Sequence, residues 1–444
     1  MLEKNETMMS EQNKAKRMVI VGLDIGTTKI ACLVGVKNDN GKIEILTMGH
    51  WHSAGVVRGS VINIDEAVVS IKKAINSAVE RFGKKIDIEV VHVGIAGSHI
   101  QSWQNRGVKM RESNEDVIRE QEVRDLIEEM HRVAVPPGQE IVHVIPQEYI
   151  VDSHFHVNPV GMFGNRLEGN FHIVTGDTTA AKYIKTAVER ADLEIADMIL
   201  EPIASAEAVL TNPEKEAGVV LVDIGGGTTD VAIFHDGILR HTAVIPFGGE
   251  IITRDIMEGC RLLKNYAEQL KIQFGSSIQA EAVANEVISI PMLDGHEPLE
   301  ISTQMLAGII QARMEEIIGA VNHEILTSGL ERKLVAGIVV TGGGSQLKNI
   351  KQHFEYLTGM TTRLGRPTEH IAATKLSDAV NSPIYATGIG LVIYGFNNYE
   401  RLNGNQQFEV KEARQRVSKE KGRFFDGVLK GSGKLINFFK DDEL

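Results

Sequence analysis

An α/β fold of two related halves, each interrupted by an inserted subdomain and followed by a C-terminal amphipathic helix, is predicted by three observations. One short pattern occurs twice, a buried β-branched run leads into each copy, and the chain ends in a segment that is apolar on one helical face and basic on the other. The repeat is Val19-Ile-Val-Gly-Leu-Asp24-Ile-Gly26-Thr-Thr28-Lys29, which returns as Val219-Val-Leu-Val-Asp223-Ile-Gly-Gly-Gly227-Thr-Thr229-Asp230. In both copies an apolar stretch follows, so each reads as strand, tight turn, strand and opens one half of the molecule.

The remaining elements follow from periodicity. Val68, Ile71, Ile75 and Val79 recur at helical spacing between Ile64 and Phe82, and Val90–Ile95 reads as a strand. Residues 98–176 change character, with a charged helix over 115–133 and short alternating segments at 141–145 and 149–157, which indicates an inserted subdomain. A second, mostly helical insertion occupies 252–332 before the strand at Gly337. The predicted organisation is a disordered leader (1–17), a first half (18–97 and 177–216) around the 98–176 insertion, a second half (217–251 and 333–399) around the 252–332 insertion, a linker (400–422) and a terminal helix (423–440).

Composition excludes several classes. At 444 residues, 43% of them hydrophobic, the chain can bury a large core and is expected to form several domains. A net charge of -12 opposes general nucleic-acid binding. Cys32 and Cys260 are far apart and form no CxxC pair, which fits a reducing compartment without a disulfide scaffold. No apolar run approaches the roughly 20 residues needed to span a bilayer. His154 and His156 alternate on one strand and could join His143, but no acid or cysteine stands at ligand spacing.

The repeated hairpins suit polyphosphate. Thr27 and Thr28 offer hydroxyls and backbone amides in a tight turn, Gly26 permits close approach, and Lys29 supplies a positive charge. The second hairpin, Gly225, Gly226, Gly227, Thr228 and Thr229, can clamp the same phosphates from the other side of a cleft. Asp24 and Asp223, each at a strand end, suit a magnesium ion held through water. Gly342, Gly343, Gly344 and Ser345 follow a third strand and let a base or sugar lie flat on backbone.

Each signal alone is an ordinary turn, but their order resembles the phosphate-1, connect-1, phosphate-2 and adenosine motifs of the actin-like ATPase superfamily, with Glu201-Pro-Ile-Ala-Ser-Ala206 as the connecting segment. The detailed match, over about residues 18–400, is to the bacterial cell-division family FtsA. It rests on Gly22-Leu-Asp-Ile-Gly-Thr-Thr-Lys29, Gly94-Ile-Ala-Gly-Ser-His99, Ile245-Pro-Phe-Gly-Gly-Glu250 and Thr341-Gly-Gly-Gly-Ser345.

This resemblance implies ATP and Mg2+ as cofactors, Glu201 as the group orienting an attacking water, Gly388 as the interdomain hinge, and Glu268 with Lys271 at the base and ribose. The family calls the first insertion 1C, used in self-association and contact with other divisome proteins. The second, 2B, docks the C-terminal peptide of FtsZ, the tubulin-like division GTPase.

At about 100° per residue, Phe424, Phe425, Val428, Leu429, Leu435, Ile436, Phe438 and Phe439 share one half of the terminal helix, and Lys430, Lys434 and Lys440 the other. That is the pattern of a helix lying in an anionic phospholipid interface. Gly427, Gly431 and Gly433 each weaken it by roughly 1 kcal/mol, so the segment is expected to order on binding.

The expected function is an adaptor that binds ATP, hydrolyses it slowly at most, forms filaments and tethers FtsZ to the inner face of the cytoplasmic membrane at the division site. The alternatives of the same fold are a sugar or acid kinase and a pilus-assembly ATPase. Neither accounts for a terminal membrane helix.

Overall fold

The computed structural model describes residues 18–417 apart from 39, 112–115, 284–285, 291–297, 368–369 and 373–375. The leader, the expected membrane helix and its residues Phe424, Phe425, Val428, Leu429, Lys430, Lys434, Leu435, Ile436 and Phe439 lie outside the described residues.

The first half begins with strands β1 (Val19–Ile25), β2 (Lys29–Lys37) and β3 (Ile43–His52), helix α1 (Ile64–Phe82) and β4 (Val90–Ile95). The first insertion holds β5 (Gln101–Met110), α2 (Glu120–Met130), β6 (Gln139–Val151), β7 (His154–His156) and β8 (Arg166–Asp177). Helix α3 (Thr178–Arg190), β9 (Glu194–Leu200) and α4 (Glu201–Val209) complete the half.

In the second half, β10 (Val219–Ile224), β11 (Thr229–His235) and β12 (Ile238–Ile245) precede the insertion. That insertion contains α5 (Gly249–Cys260), α6 (Lys264–Phe274), the strand pair β13 (Val287–Ile290) and β14 (Leu299–Ser302), and α7 (Thr303–Thr327). The chain then returns through β15 (Gly337–Thr341), α8 (Ile350–Thr358), β16 (Thr362–Leu364) and α9 (Ala386–Val417).

The two main sheets repeat one topology. Strand order is β3-β2-β1-β4-β9 in the first and β12-β11-β10-β15-β16 in the second. In each, the hairpin strands are antiparallel and the later two join in parallel. The insertions enter at different points: after the fourth strand in the first half, and after the third in the second.

Both faces of each sheet are covered, which is why the strands read as unbroken apolar runs. Val21, Leu23 and Ile25 point to a core shared with Ala67, Ile71 and Ala74 of α1 and Ile184 and Val188 of α3. Ile20 and Leu33 point the other way, into a layer that also takes Val219 and Leu221 of the second sheet and Ile389, Val392 and Phe396 of α9. The alternate residues Val220, Val222 and Ile224 meet α5 and α7 through Ile252, Ile256, Met314 and Ile317. Helices α4 and α9 thus lie between the halves, and Gly388 is held there by close approach: a Cβ on it would lie 2.4 Å from Leu33 Cδ1.

The first insertion is a separate small core, with Leu126 and Met130 of α2 packed on Phe171, Leu167 and Ile173 of an antiparallel sheet ordered β5-β8-β6-β7. The segment expected over 141–145 and the first residues of that expected over 149–157 form one strand, β6, with a register shift opposite Phe171 at Pro146, whereas the rest of the second segment turns back at Asp152 and Ser153 into β7. This subdomain also leans on β12. Ser102 Oγ donates to the Thr242 carbonyl at 3.0 Å, Gln147 Nε2 to the Leu239 carbonyl at 2.9 Å, and buried His172 meets Thr242 Oγ1 at 2.9 Å.

One expectation is corrected. The stretch 400–422, read as a linker because Asn403 and Gly404 break helices, continues α9 as far as Val417. A glycine costs about 1 kcal/mol in a helix. Extending an already nucleated helix gains a hydrogen bond per residue without paying again for nucleation, and Gln, Glu, Lys and Arg fill the rest of the stretch.

Candidate nucleotide site

The two repeat hairpins face each other across the junction of the halves. Each turn is closed by the same backbone bond, Gly26 N–H to the Lys29 carbonyl at 3.0 Å and Gly225 N–H to the Thr228 carbonyl at 2.9 Å. A Cβ on Gly226 would lie 2.5 Å from the Thr28 methyl, and one on Gly227 would lie 2.4 Å from Thr27 Oγ1. Glycine at these positions is therefore a condition for the hairpins to meet.

Behind them lies a cluster of acids. Asp24, Asp223 and Asp230 are buried at the strand ends, and Asp223 and Asp230 are directly opposed on neighbouring strands. Lys29 Nζ sits 3.0 Å from Asp24 Oδ2. Burial alone depresses the lysine, but the Asp24 charge and hydrogen bond outweigh it and hold the ammonium above its ordinary value.

Asp223 Oδ2 accepts from Ser205 Oγ at 2.5 Å and from Thr387 Oγ1 at 3.2 Å, so α4 and α9 both feed hydroxyls into the site. Burial nevertheless raises the Asp223 carboxyl, with the Asp24 charge adding to it and the Ser205 hydroxyl partly relieving it. Asp230 accepts from Thr228 Oγ1 at 3.2 Å through one oxygen, while the other is buried with no partner. Burial first and the Asp223 charge second push Asp230 well up.

Glu201 opens α4. Its side chain runs along Gly94 of β4, where a Cβ would lie 3.1 Å from Glu201 Oε1. Burial, then the negative charges of Asp24, Asp230 and Asp223, hold its carboxyl well above the ordinary range.

Of the third glycine cluster, Gly342 has φ +80, and a Cβ there would stand 2.2 Å from Asp223 Oδ1. Gly344 abuts Ile224, Gly343 faces open space, and Ser345 Oγ donates to the Gly342 carbonyl at 2.7 Å. The triplet leads into a short 3-10 turn, Gly343–Gln346, before α8.

Lys271 Nζ donates to the Gly249 carbonyl at 2.8 Å and pairs with Glu268 at 2.8 Å. Gly249 N–H in turn donates to the Gly225 carbonyl at 2.9 Å, so the α6 pair is linked to the second hairpin through α5. The structure thus brings together Asp24, Lys29, Glu201, Asp223, both hairpins and the Gly342 turn. Gly388 stands apart, although its neighbour Thr387 reaches Asp223.

Sequence reasoning missed Asp230, Ser205 and Thr387. Asp230 had a visible signal, since it occupies the repeat position of Lys29 with opposite charge. Ser205 and Thr387 had none, because their partner lies on another element. Among the described residues no three acidic, imidazole or thiol groups converge to hold a metal by themselves. A cation here would depend on phosphate oxygens and water, the habit of magnesium. His143, weighed above as a metal ligand, instead accepts the Leu200 N–H at 3.0 Å.

Two sheets of one topology, joined by crossing helices and meeting at paired glycine hairpins, define an actin-like ATPase fold. The PilM–PilN type IV pilus biogenesis complex matches at TM-score 0.61 and 15% identity, covering 85% of this chain and 98% of that one. MreB5 of Spiroplasma citri bound to ADP matches at TM-score 0.52 and 15% identity, covering 87% and 98%. At sequence level, the family model "Cell division protein FtsA" matches residues 220–390, and "SHS2 domain inserted in FTSA" matches 97–175. The Pseudomonas aeruginosa cell division protein FtsA is 41% identical over 378 residues, 85% of this chain and 89% of that protein. The chain belongs to the FtsA family of cell-division proteins.

Proposed function

We propose that this cell-division protein binds ATP with Mg2+ between its two hairpins, assembles into actin-like filaments, and anchors the FtsZ ring to the cytoplasmic face of the cell membrane. The observation that carries the nucleotide reading is the apposition of Thr27 and Thr28 with Gly226 and Gly227 in front of Asp24 and Asp223. Support also comes from MreB5, which shares the fold and whose solved structure is described as bound to ADP.

In this reading the hairpin amides and hydroxyls hold the phosphates. Asp24 and Asp223 orient the waters of Mg2+, and the cation supplies charge neutralisation when bound. Lys29 is oriented by Asp24, and Gly342 to Ser345 flank the base and sugar with Glu268 and Lys271. Glu201 orients water for slow hydrolysis, and motion about Gly388 would alter the cleft. The family's use of 1C assigns self-association and divisome contacts to the first insertion, and that of 2B assigns the FtsZ peptide to the second.

The membrane role rests on the sequence of the terminal segment. Among the described residues no helix is long and apolar enough to cross a membrane, so attachment would be peripheral, through 423–440. Weak single helices would gain by avidity along a filament.

Co-sedimentation with anionic liposomes and ATP tests this, comparing the intact chain with one truncated after Lys421 and adding the FtsZ C-terminal peptide. Binding lost on truncation, with peptide recruited by the intact chain alone, is expected. If both forms stay in the supernatant and the peptide is ignored, the adaptor reading is wrong.

A further inference from the structure

We propose that Arg58 is a nucleotide-binding residue that reaches across the cleft and distinguishes the triphosphate from the diphosphate. The proposal rests on the nucleotide reading above and deepens it.

Arg58 lies in a small hairpin that no motif predicted. Strands Val56–Val57 and Ser60–Val61 pair antiparallel, and the two turn residues between them, Arg58 and Gly59, have φ of +48 and +75. Two-residue turns with both φ positive favour Asn, Asp or Gly at the first position, and an arginine there is held against its own backbone preference. Such a backbone outlier motivates a functional role for the residue that holds it.

The position of the turn indicates what that side chain serves. Gly59 N–H donates to Thr27 Oγ1 at 2.9 Å, which ties the turn to the first phosphate hairpin. A Cβ on Gly227 would lie 2.7 Å from Arg58 Cα and 3.0 Å from Arg58 N, so the tip of the second hairpin is seated on the Arg58 backbone. The turn therefore clasps the two halves at the point where their hairpins meet. Any ligand that alters the spacing of the hairpins acts on it directly.

Charge completes the argument. Asp24, Asp223, Asp230 and Glu201 cluster at the site, and among the described residues the one lysine within this cluster, Lys29, is already engaged by Asp24. A polyphosphate entering here meets a deficit of positive charge that one magnesium ion would only partly offset. Arg58 of the first half and Arg254 of the second line one pocket with Gly226, Gly227, Gly248 and Glu250, whose carboxylate is paired with Lys264. Both arginines are exposed, and among the described residues neither guanidinium is paired with a carboxylate. Unpaired guanidiniums beside backbone amides suit the oxygens of a phosphate chain. In the nucleotide reading the outer end of the phosphate chain lies at the hairpin tips, where Arg58 stands. The γ-phosphate that ATP adds therefore brings a further negative charge within reach of Arg58, which contributes to ATP binding more than to ADP binding.

The test uses the full chain with Mg2+ and measures ATP and ADP affinities by titration calorimetry for wild type, R58N and R58K. Asparagine suits the positive φ and keeps the turn, so R58N removes the guanidinium without unfolding the hairpin. R58N is expected to weaken ATP about tenfold while ADP changes less than about twofold, and R58K to recover part of the loss. An unchanged ATP-to-ADP affinity ratio in R58N, with both nucleotides still bound, overturns the role of Arg58 and leaves the nucleotide reading intact. If wild type binds neither nucleotide, the nucleotide reading fails and this proposal falls with it.

Discussion

Gly390 of α9 crosses Ala204 of α4 so closely that a Cβ on the glycine would lie 1.8 Å from the Ala204 carbonyl oxygen. Helix α4 belongs to the first half and α9 to the second, so this contact is where the halves are pinned. The nearby hydroxyls of Ser205 and Thr387, 3.0 Å apart, both bond Asp223. Helix crossing and site assembly are thus one structural event.

Substituting Gly390 by alanine sets two effects against each other. Helix propensity favours alanine by about 1 kcal/mol. Overpacking against backbone costs about 3 kcal/mol here, since a carbonyl at that distance cannot turn aside as a side chain can. G390A is expected to lower the denaturation midpoint, and an unchanged or raised midpoint would show that the crossing is looser than the geometry indicates.

Glu201 should separate binding from turnover. E201Q preserves shape and removes a carboxyl oxygen able to accept from the attacking water, so ATP affinity is expected to stay within about threefold while hydrolysis falls about tenfold or more. Equal hydrolysis by both proteins, measured as phosphate release, would assign Glu201 a purely structural place.

The acid cluster predicts a pH effect of defined sign. Glu201 and Asp230 have folded pKa values above their ordinary 4.5 and 3.8, so between those values and the raised ones the native state holds protons that the unfolded chain has released. Stability of the nucleotide-free protein therefore falls as pH rises through that window. D230N removes one of these groups. Its thermal midpoint should exceed that of wild type at pH 8 by more than at pH 4, and a difference that shrinks with rising pH would contradict the assignment.

Phe171 is fully buried in the first insertion and meets Tyr149 edge-on at 6.3 Å between ring centroids. F171A is expected to cost that subdomain about 3 to 5 kcal/mol. Because the subdomain has its own core, hydrogen exchange should speed up in β5, β6 and β8 while β1 and β10 stay protected. Loss of protection throughout would mean that the contacts of Ser102, Gln147 and His172 with β12 couple the subdomain to the second half.

Much of this molecule was legible in one dimension because the information was local. Helix α1 matches its apolar spacing over Ile64–Phe82, and β4 its apolar run over Val90–Ile95. The paired hairpins could be read because each is a turn of a few residues whose glycines and threonines have short-range causes. Where competing local signals met, the reading was less accurate. Asn403 and Gly404 suggested a break that helix propagation overrode, and the alternating segments at 141–145 and 149–157 divide differently, into β6 and β7 with the turn at Asp152 and Ser153.

By itself, then, the sequence determined the duplicated α/β halves, the positions of Asp24, Asp223 and the glycine turns, and the membership of the FtsA family that those motifs announced. Only the tertiary structure decided which groups share a site. The hydroxyls of Ser205 and Thr387 on Asp223, the opposition of Asp230 to Asp223, and the seating of Gly227 on Arg58 join residues far apart in the chain. Such contacts arise from how two sheets and two crossing helices pack, and no local periodicity encodes them.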